Sequence, residues 1–560
     1  MQNIATRPEK ADALDVRPAD RGARITASHL NVRHGNGVIG LDDVSLTIEP
    51  GRLTAVIGPS GAGKSTLLAA LAGIAPASDG TVTLAGASSH DDDNGSDNGI
   101  GFVPQDDVLH GELPLRQTLR YAATLRLAAS AAVIDSAVDD AMHTLGLATR
   151  GETPVHALSG GERKRANIAA EILTRPGVCF LDEPTSGLDP AAAADLVDGL
   201  HRMAADGSTV VFTTHSVEDI ERSNTVVVLA PGGRLVAVGT PDEVLQRLGA
   251  TGFPELYTLL VGLQPRSTTT GDVPARRRTP AVSTQHRALR ADRPGAMRQW
   301  WTLTRRSAEI LTRNRLTVAI LLGSPAAVIG MFAVLFKPGG FDPGADPTAA
   351  VQVAYWLAFA GFFFGLTFGL LQVCTELTML RSERFAGVSI GAYLASKVAL
   401  LTPVLLLVNA TMLAVLQTLD RIPHLSAGAF VELNITMALN ALAALCLGLL
   451  ASAAVTSTAQ AALALPMLCF PAVLFSGAMV PNPVMAGAGR AISAAMSDRW
   501  AFEAIARHLH IAARLQPSSP YAGLGASPRA TYWLLLAAFA LVTAIGAYGA
   551  VHHRATRTGR

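Results

Sequence analysis

The chain has 560 residues, too many for one compact core, so two or more domains are expected. Charged residues make up 16%, hydrophobic residues 49%, and the net charge is +1. This balance points towards membrane segments and gives no reason to expect nucleic acid as a partner. The basic residues are nearly all arginine, with five lysines in all, a bias that fits genomic base composition. Cys179, Cys374, Cys446 and Cys469 lack metal-ligand spacing and fall in apolar stretches, which predicts free thiols.

Residues 1–25 are polar and patternless and read as a disordered arm, with no apolar stretch of the signal-peptide kind. From 26 to 250, short β-branched runs alternate with amphipathic stretches, the pattern of an α/β domain with a largely parallel sheet. The strand candidates include 53–58, 178–182, 209–214 and 225–230. An acidic, Gly-rich piece at 88–99 interrupts this pattern and reads as a surface hairpin or loop.

The first strand runs into Gly58, Pro59, Ser60, Gly61, Ala62, Gly63, Lys64, Ser65 and Thr66, the spacing of a phosphate-binding P-loop. Its glycines allow backbone N–H groups to turn inward around phosphate oxygens. Lys64 is placed for the β- and γ-phosphates of ATP and Ser65 for Mg²⁺. At 158–165, Ser159 and Glu162 have the spacing of a capping box, and the helix they start would present Gly160 and Gly161 N–H groups to an anion. The apolar run before Asp182 delivers a Mg²⁺ carboxylate at a strand end, and Glu183 follows as a candidate general base.

LSGGERKR at 158–165 resembles the signature motif of ABC transporters. The resemblance covers about residues 26–250 and implies a helix end that presses on nucleotide bound by the opposite subunit. Gln105 in GFVPQDD resembles the Q-loop residue, a further Mg²⁺ contact; Ser186–Asp189 resembles the D-loop; His215 in FTTHS resembles the switch histidine at the γ-phosphate. Where the family stacks an aromatic residue on adenine, this chain has His34, which either stacks or is a plain turn histidine.

Residues 251–296 read as a linker, Pro-, Thr- and Arg-rich over most of its length. Residues 297–315 form an amphipathic helix with Trp300 and Trp301 suited to a bilayer interface. A membrane domain over 316–555 then has six candidate spans, at 316–336, 351–373, 398–418, 430–455, 459–480 and 531–551, with the fifth broken by Gly and Pro at its exit. The expected fold is thus an α/β P-loop ATPase domain of ABC type followed by an all-α six-helix transmembrane domain. Both termini are placed in the cytoplasm of a cell membrane, with Arg381, Arg384 and Lys397 on an inner loop. The external placing of 482–530 fits poorly with its five arginines.

Domain order, the connecting helix and the loop at 375–397 resemble the ABCG (White) subfamily of half-transporters. The resemblance implies an ATP hydrolase that exports its cargo as a homodimer or with a related half-transporter. The apolar spans suggest a hydrophobic or lipid-like substrate in contact with membrane lipid. Asn409 and Asn440 within the spans either line a path or hydrogen-bond between helices. The alternative function is a membrane ATPase doing mechanical or regulatory work without moving a solute.

Overall fold

The computed structural model describes residues 22–34, 37–75, 77–86, 99–105, 108–262 and 294–556. Most of the arm, of the acidic piece at 88–99 and of the linker lies outside the described residues. The chain divides into two compact units, with the division between Pro294 and Gly295.

The first unit holds two sheets. One has the order β2 (Ile39–Ile48), β1 (Ala23–Arg33), β4 (Asp79–Gly86), all antiparallel. The other has the order β5 (Ile100–Val103), β6 (Val178–Leu181), β7 (Thr209–Thr213), β3 (Leu53–Ile57), β8 (Thr225–Ala230), β9 (Arg234–Gly239). Only β9 runs antiparallel in this second sheet. β3, β6 and β7 are buried at every position, because helices or the small sheet cover both faces. The alternation of side chains splits each apolar run between two cores. Leu53, Ala55, Ile57, Leu181 and Phe212 pack on one side, and Val56, Phe180 and Val211 on the other.

The helices of this unit are α1 (Lys64–Leu71), α2 (Leu115–Arg126), α3 (Ala131–Thr144), α4 (Gly160–Ile172), α5 (Pro190–Ala205), α6 (Val217–Glu221), α7 (Pro241–Leu248) and α8 (Phe253–Gly262). The last differs from the sequence expectation. The stretch read as linker from residue 251 opens with a helix whose Phe253, Leu256 and Leu260 join the first core.

The second unit is helical. It comprises α9 (Ala296–Arg313), α10 (Arg315–Leu335), α11 (Pro347–Leu370), α12 (Leu377–Phe385), α13 (Ile390–Thr418), α14 (Ala427–Ala454), α15 (Thr458–Leu474), α16 (Gly487–Ala494), α17 (Ser497–His508) and α18 (Arg529–Thr556). Among the described residues five helices are long and apolar enough to cross a membrane: α10, α11, α13, α14 and α18. The sixth candidate, 459–480, is realised as the shorter α15, which carries Pro466 and Pro471 and stops before Gly477 at φ +86°.

α11 and α14 approach closely because glycines lie between them. A Cβ at Gly365 would stand 2.1 Å from the Ala441 carbonyl oxygen, and one at Gly448 2.6 Å from that of Leu366. Asn440 bonds between helices, its Nδ2 donating to the Ala358 carbonyl at 2.9 Å, whereas both side-chain polar atoms of buried Asn409 lack a partner. Three of the five arginines at 482–530 are held: Arg499 by Glu503 at 3.0 Å, Arg507 by the Gly525 carbonyl at 3.0 Å, and Arg529 by Glu432.

The connecting helix α9 buries a polar stripe. Gln299, Thr302, Arg306 and Ser307 face inward, and Trp301 is exposed. Arg306 pairs with Glu383 of α12 through two hydrogen bonds. Close by, buried Lys397 of α13 donates to Glu376 at 2.6 Å and Tyr393 donates to the same carboxylate at 2.9 Å.

Candidate functional site

Five parallel strands of the larger sheet end on one edge, and the sequence places a polar residue beyond four of them. β3 leads to the P-loop, β5 to Gln105, β6 to Asp182 and Glu183, and β7 to His215. Because β5, β6, β7 and β3 are consecutive neighbours, these residues form one line along the carboxyl edge, where open α/β sheets bind ligands.

The P-loop glycines have different duties. Gly58, Gly61 and Gly63 all have positive φ, at 151°, 77° and 90°. A Cβ at Gly58 would meet the Leu229 carbonyl oxygen at 2.4 Å, and one at Gly63 the Gly40 carbonyl oxygen at 2.2 Å. Nothing lies within 4 Å of a Cβ at Gly61, so the loop is anchored at its ends and open between them. Lys64 folds back across it, donating Nζ to the carbonyls of Gly58 at 2.9 Å and Pro59 at 3.2 Å. Burial pulls its ammonium below the ordinary value, opposed by Glu183 and Asp182. Ser65 is exposed at the start of α1.

Asp182 is buried at the end of β6 and accepts from the Thr213 hydroxyl at 2.7 Å. The same hydroxyl oxygen accepts from the Glu183 N–H at 2.7 Å. Glu183 has φ +47°, uncommon for a residue with a Cβ. Its carboxylate accepts from Gln105 Nε2 at 3.1 Å and lies 4.0 Å from His215 Nδ1. Residues from three separate motifs therefore meet at one carboxylate.

Ser159 caps α4 with both halves of the box formed. Its hydroxyl accepts from Glu162 N–H at 3.3 Å, and Glu162 accepts from Ser159 N–H at 2.9 Å. The Ser159 backbone, with its hydroxyl and Arg150, holds the Glu162 carboxyl below the usual range. Ser159 and Gly160 are exposed, so the helix end is open to solvent. His34 lies beside Gly40 and the P-loop helix: a Cβ at Gly40 would be 2.7 Å from His34 Nε2 and 3.0 Å from Thr66 Cγ2. Asp189 caps α5 through the Ala192 N–H at 2.9 Å.

Residues 41–186 match the ABC transporter family and residues 298–507 the ABC-2 type transporter family. The chain is 33% identical over 458 residues to an ABC transporter ATP-binding/permease protein of Mycobacterium tuberculosis, covering 79% of this chain and 52% of that protein. It is 37% identical over 226 residues to a cobalt import ATP-binding protein of Rhodobacter capsulatus, covering 40% of this chain and 80% of that protein. It is 38% identical over 219 residues to ABC transporter G family member 13 of Arabidopsis thaliana, covering 37% of this chain and 31% of that protein. The chain belongs to the ABC transporter family. It spans about half the length of the mycobacterial relative and less of the plant one.

Four residues of this ABC transporter chain support the edge and escape sequence reading. Thr213 ties Asp182 to the Glu183 backbone, yet within TVVFTT it reads only as a strand former. Buried Asp219 accepts from Thr185 at 2.6 Å and Thr214 at 2.8 Å, joining the segments after β6 and β7. Lys164 of α4 donates to the Gln105 carbonyl at 2.7 Å, linking the signature helix to the Gln105 segment. Tyr257 of α8 reaches the Thr214 carbonyl at 3.5 Å, and burial raises its phenol to about 12. The only available signal for Tyr257 was the spacing of Phe253, Leu256 and Leu260 beside it.

Proposed function

We propose that this chain is an ATP-hydrolysing half-transporter that exports a hydrophobic or lipid-like substrate across the cytoplasmic membrane by alternating access. The meeting of Gln105, Glu183 and His215 beside the P-loop carries the reading. Backbone N–H groups from Gly58 to Thr66 cradle the phosphates of ATP, with Lys64 across them and His34 towards the base. Glu183 polarises the attacking water, Gln105 orients its carboxylate, and His215 contacts the terminal phosphate.

The donors fit a magnesium site. The Ser65 hydroxyl, exposed beside the phosphate loop, and the Asp182 carboxylate at the end of β6 are oxygen donors of the hard kind that Mg²⁺ takes. Ser65, Asp182 and Gln105 would hold Mg²⁺, which supplies charge neutralisation at the phosphates when bound.

The exposed Ser159 and Gly160 end of α4 would close over nucleotide held by a second copy, or by a related half-transporter, which completes each site. Six spans with both termini inside follow if the short α15 crosses as a broken helix. Export rests on the fused domain order, since relatives matched by the ATP-binding half alone include an import protein.

The test is ATP hydrolysis by the protein in lipid nanodiscs. Glu183→Gln should retain ATP binding and lose about 10²–10⁴-fold in turnover. Undiminished hydrolysis in the variant removes Glu183 as the base.

A further inference from the structure

Two arginines meet at one end of the helical unit. Arg381 of α12 is exposed, and its Nη2 donates to the carbonyl of Arg554 in the last turn of α18 at 3.3 Å. Arg554 is half-buried, and its Nη1 donates to the carbonyls of Ala453 and Val455 at the end of α14. The two guanidinium groups are close enough to repel, since partial burial and the charge of Arg554 hold Arg381 below its ordinary value. Among the described residues no carboxylate pairs with either. The acids of the same loop are engaged elsewhere, Glu376 with Lys397 and Tyr393, and Glu383 with Arg306.

Helix ends account for part of this arrangement. A helix C-terminus carries about half a negative charge, so two such ends under two guanidinium groups leave a surplus of about one positive charge. Each arginine spends a single nitrogen on its helix end, and the rest of each fork has no protein acceptor among the described residues. The place decides which anion fits. α12 joins α11 to α13, and α14 and α18 end beside it, so four helices long enough to cross a membrane have an end at this pair. Exposed Tyr548 stacks on His552 in the same stretch of α18, an aromatic placing that suits the bilayer interface.

We propose that Arg381 and Arg554 bind the phosphate of an anionic phospholipid. A guanidinium group donates in a planar fork that matches phosphate oxygens, and an acidic headgroup cancels the surplus charge. Basic pockets between membrane helices hold acidic headgroups by this chemistry. A zwitterionic lipid offers the same phosphate but brings its own cation, so it leaves the surplus in place. That this end faces the inner leaflet rests on the topology proposed above; the surplus charge at the helix ends does not.

The experiment follows thermal unfolding of the full chain in neutral detergent at low salt, without nucleotide, so its outcome does not depend on ATP hydrolysis or transport. Phosphatidylglycerol and phosphatidylcholine with the same acyl chains are compared, and sodium phosphate and polyglutamate serve as soluble anions. Phosphatidylglycerol should raise the unfolding temperature by about 2–4 °C over phosphatidylcholine, and the soluble anions should not. Arg381→Gln should lose about half of that gain or more, while its unfolding temperature in phosphatidylcholine shifts by less than about 1 °C. Arg381→Glu sets a carboxylate beside Arg554 and cancels the surplus from within the chain. It should unfold no earlier than Arg381→Gln in phosphatidylcholine and gain nothing from phosphatidylglycerol. Equal effects of the two lipids on the unaltered chain overturn the proposal, as does a full gain in Arg381→Glu or its unfolding earlier than Arg381→Gln. A gain from sodium phosphate or polyglutamate equal to that from phosphatidylglycerol assigns the pair to a soluble phosphate or an acidic peptide, and overturns the lipid.

Discussion

Around the strand ends of the ATP-binding unit, buried polar groups are met by the neighbouring strand or its loop: Thr213 on Asp182, and Thr185 and Thr214 on Asp219. In the helical unit such groups are met from a distant helix, as Arg306 is by Glu383, or left unmatched, as Asn409 is. A strand end is positioned by where an apolar run stops, which is a local property. A helix face is satisfied by whichever helix packs against it, and that partner cannot be read from the helix itself. The first arrangement makes a site that reads directly from sequence; the second hides its polar contacts until the fold is known.

The comparison breaks most visibly if a partner is removed in the helical unit. Glu376→Ala leaves the buried Lys397 ammonium with the Ser307 hydroxyl at 3.4 Å and the Tyr393 ring at 5.4 Å. The expected cost is about 3–5 kcal/mol, read as a fall in thermal unfolding temperature in detergent. Adding Lys397→Met should recover much of it, because the stranded charge goes with its partner. A single-variant loss below about 1 kcal/mol would mean that water reaches the pair and that the helical unit solvates its charges.

A smaller effect is expected in the ATP-binding unit. Thr213→Val keeps the shape of the strand but takes the donor from Asp182 and the acceptor from the Glu183 N–H. Leaving these groups unsatisfied costs about 1–3 kcal/mol of stability. Turnover should fall by more than about tenfold, because the hydroxyl sets both carboxylates of the edge. Stability loss with unchanged turnover would show that the Glu183 backbone turn, and not Thr213, positions the base.

Much of the edge was legible for the reason just given. The P-loop, Asp182, Glu183 and His215 each follow an apolar run, and β3, β6 and β7 place them side by side. The roles of Gln105 and His215 came from resemblance, the helix at 158–165 also from the Ser159 and Glu162 spacing, and the link through Lys164 only with the fold. α8 was folded into the linker because the Pro-, Thr- and Arg-rich composition that follows outweighed three apolar residues at helical spacing. α9 was read as amphipathic, but the buried face is polar, since Arg306 meets Glu383 77 residues away. Asp498 sits among residues read as an external segment, and nothing nearby in sequence predicts its complete burial.

The smallest expected effect tests how far local legibility extends into energetics. Ser159→Ala removes one half of the capping box and should cost about 1 kcal/mol, measured by chemical unfolding of the full chain. Part of the cap depends on pH. Glu162 is held below the usual carboxyl range in the folded protein, so its ionised form contributes fully above the unfolded value. That contribution is lost as pH falls through the depressed folded value. Glu162→Gln keeps a hydrogen-bonding group at the third helical position and removes the charge. Its stability deficit at neutral pH should therefore close on acidification, while that of Ser159→Ala should persist in part, because the hydroxyl still accepts from the Glu162 N–H in acid. If the Glu162→Gln deficit were the same at both ends, the cap would act through its hydrogen bonds alone and the depressed carboxyl would carry no stability.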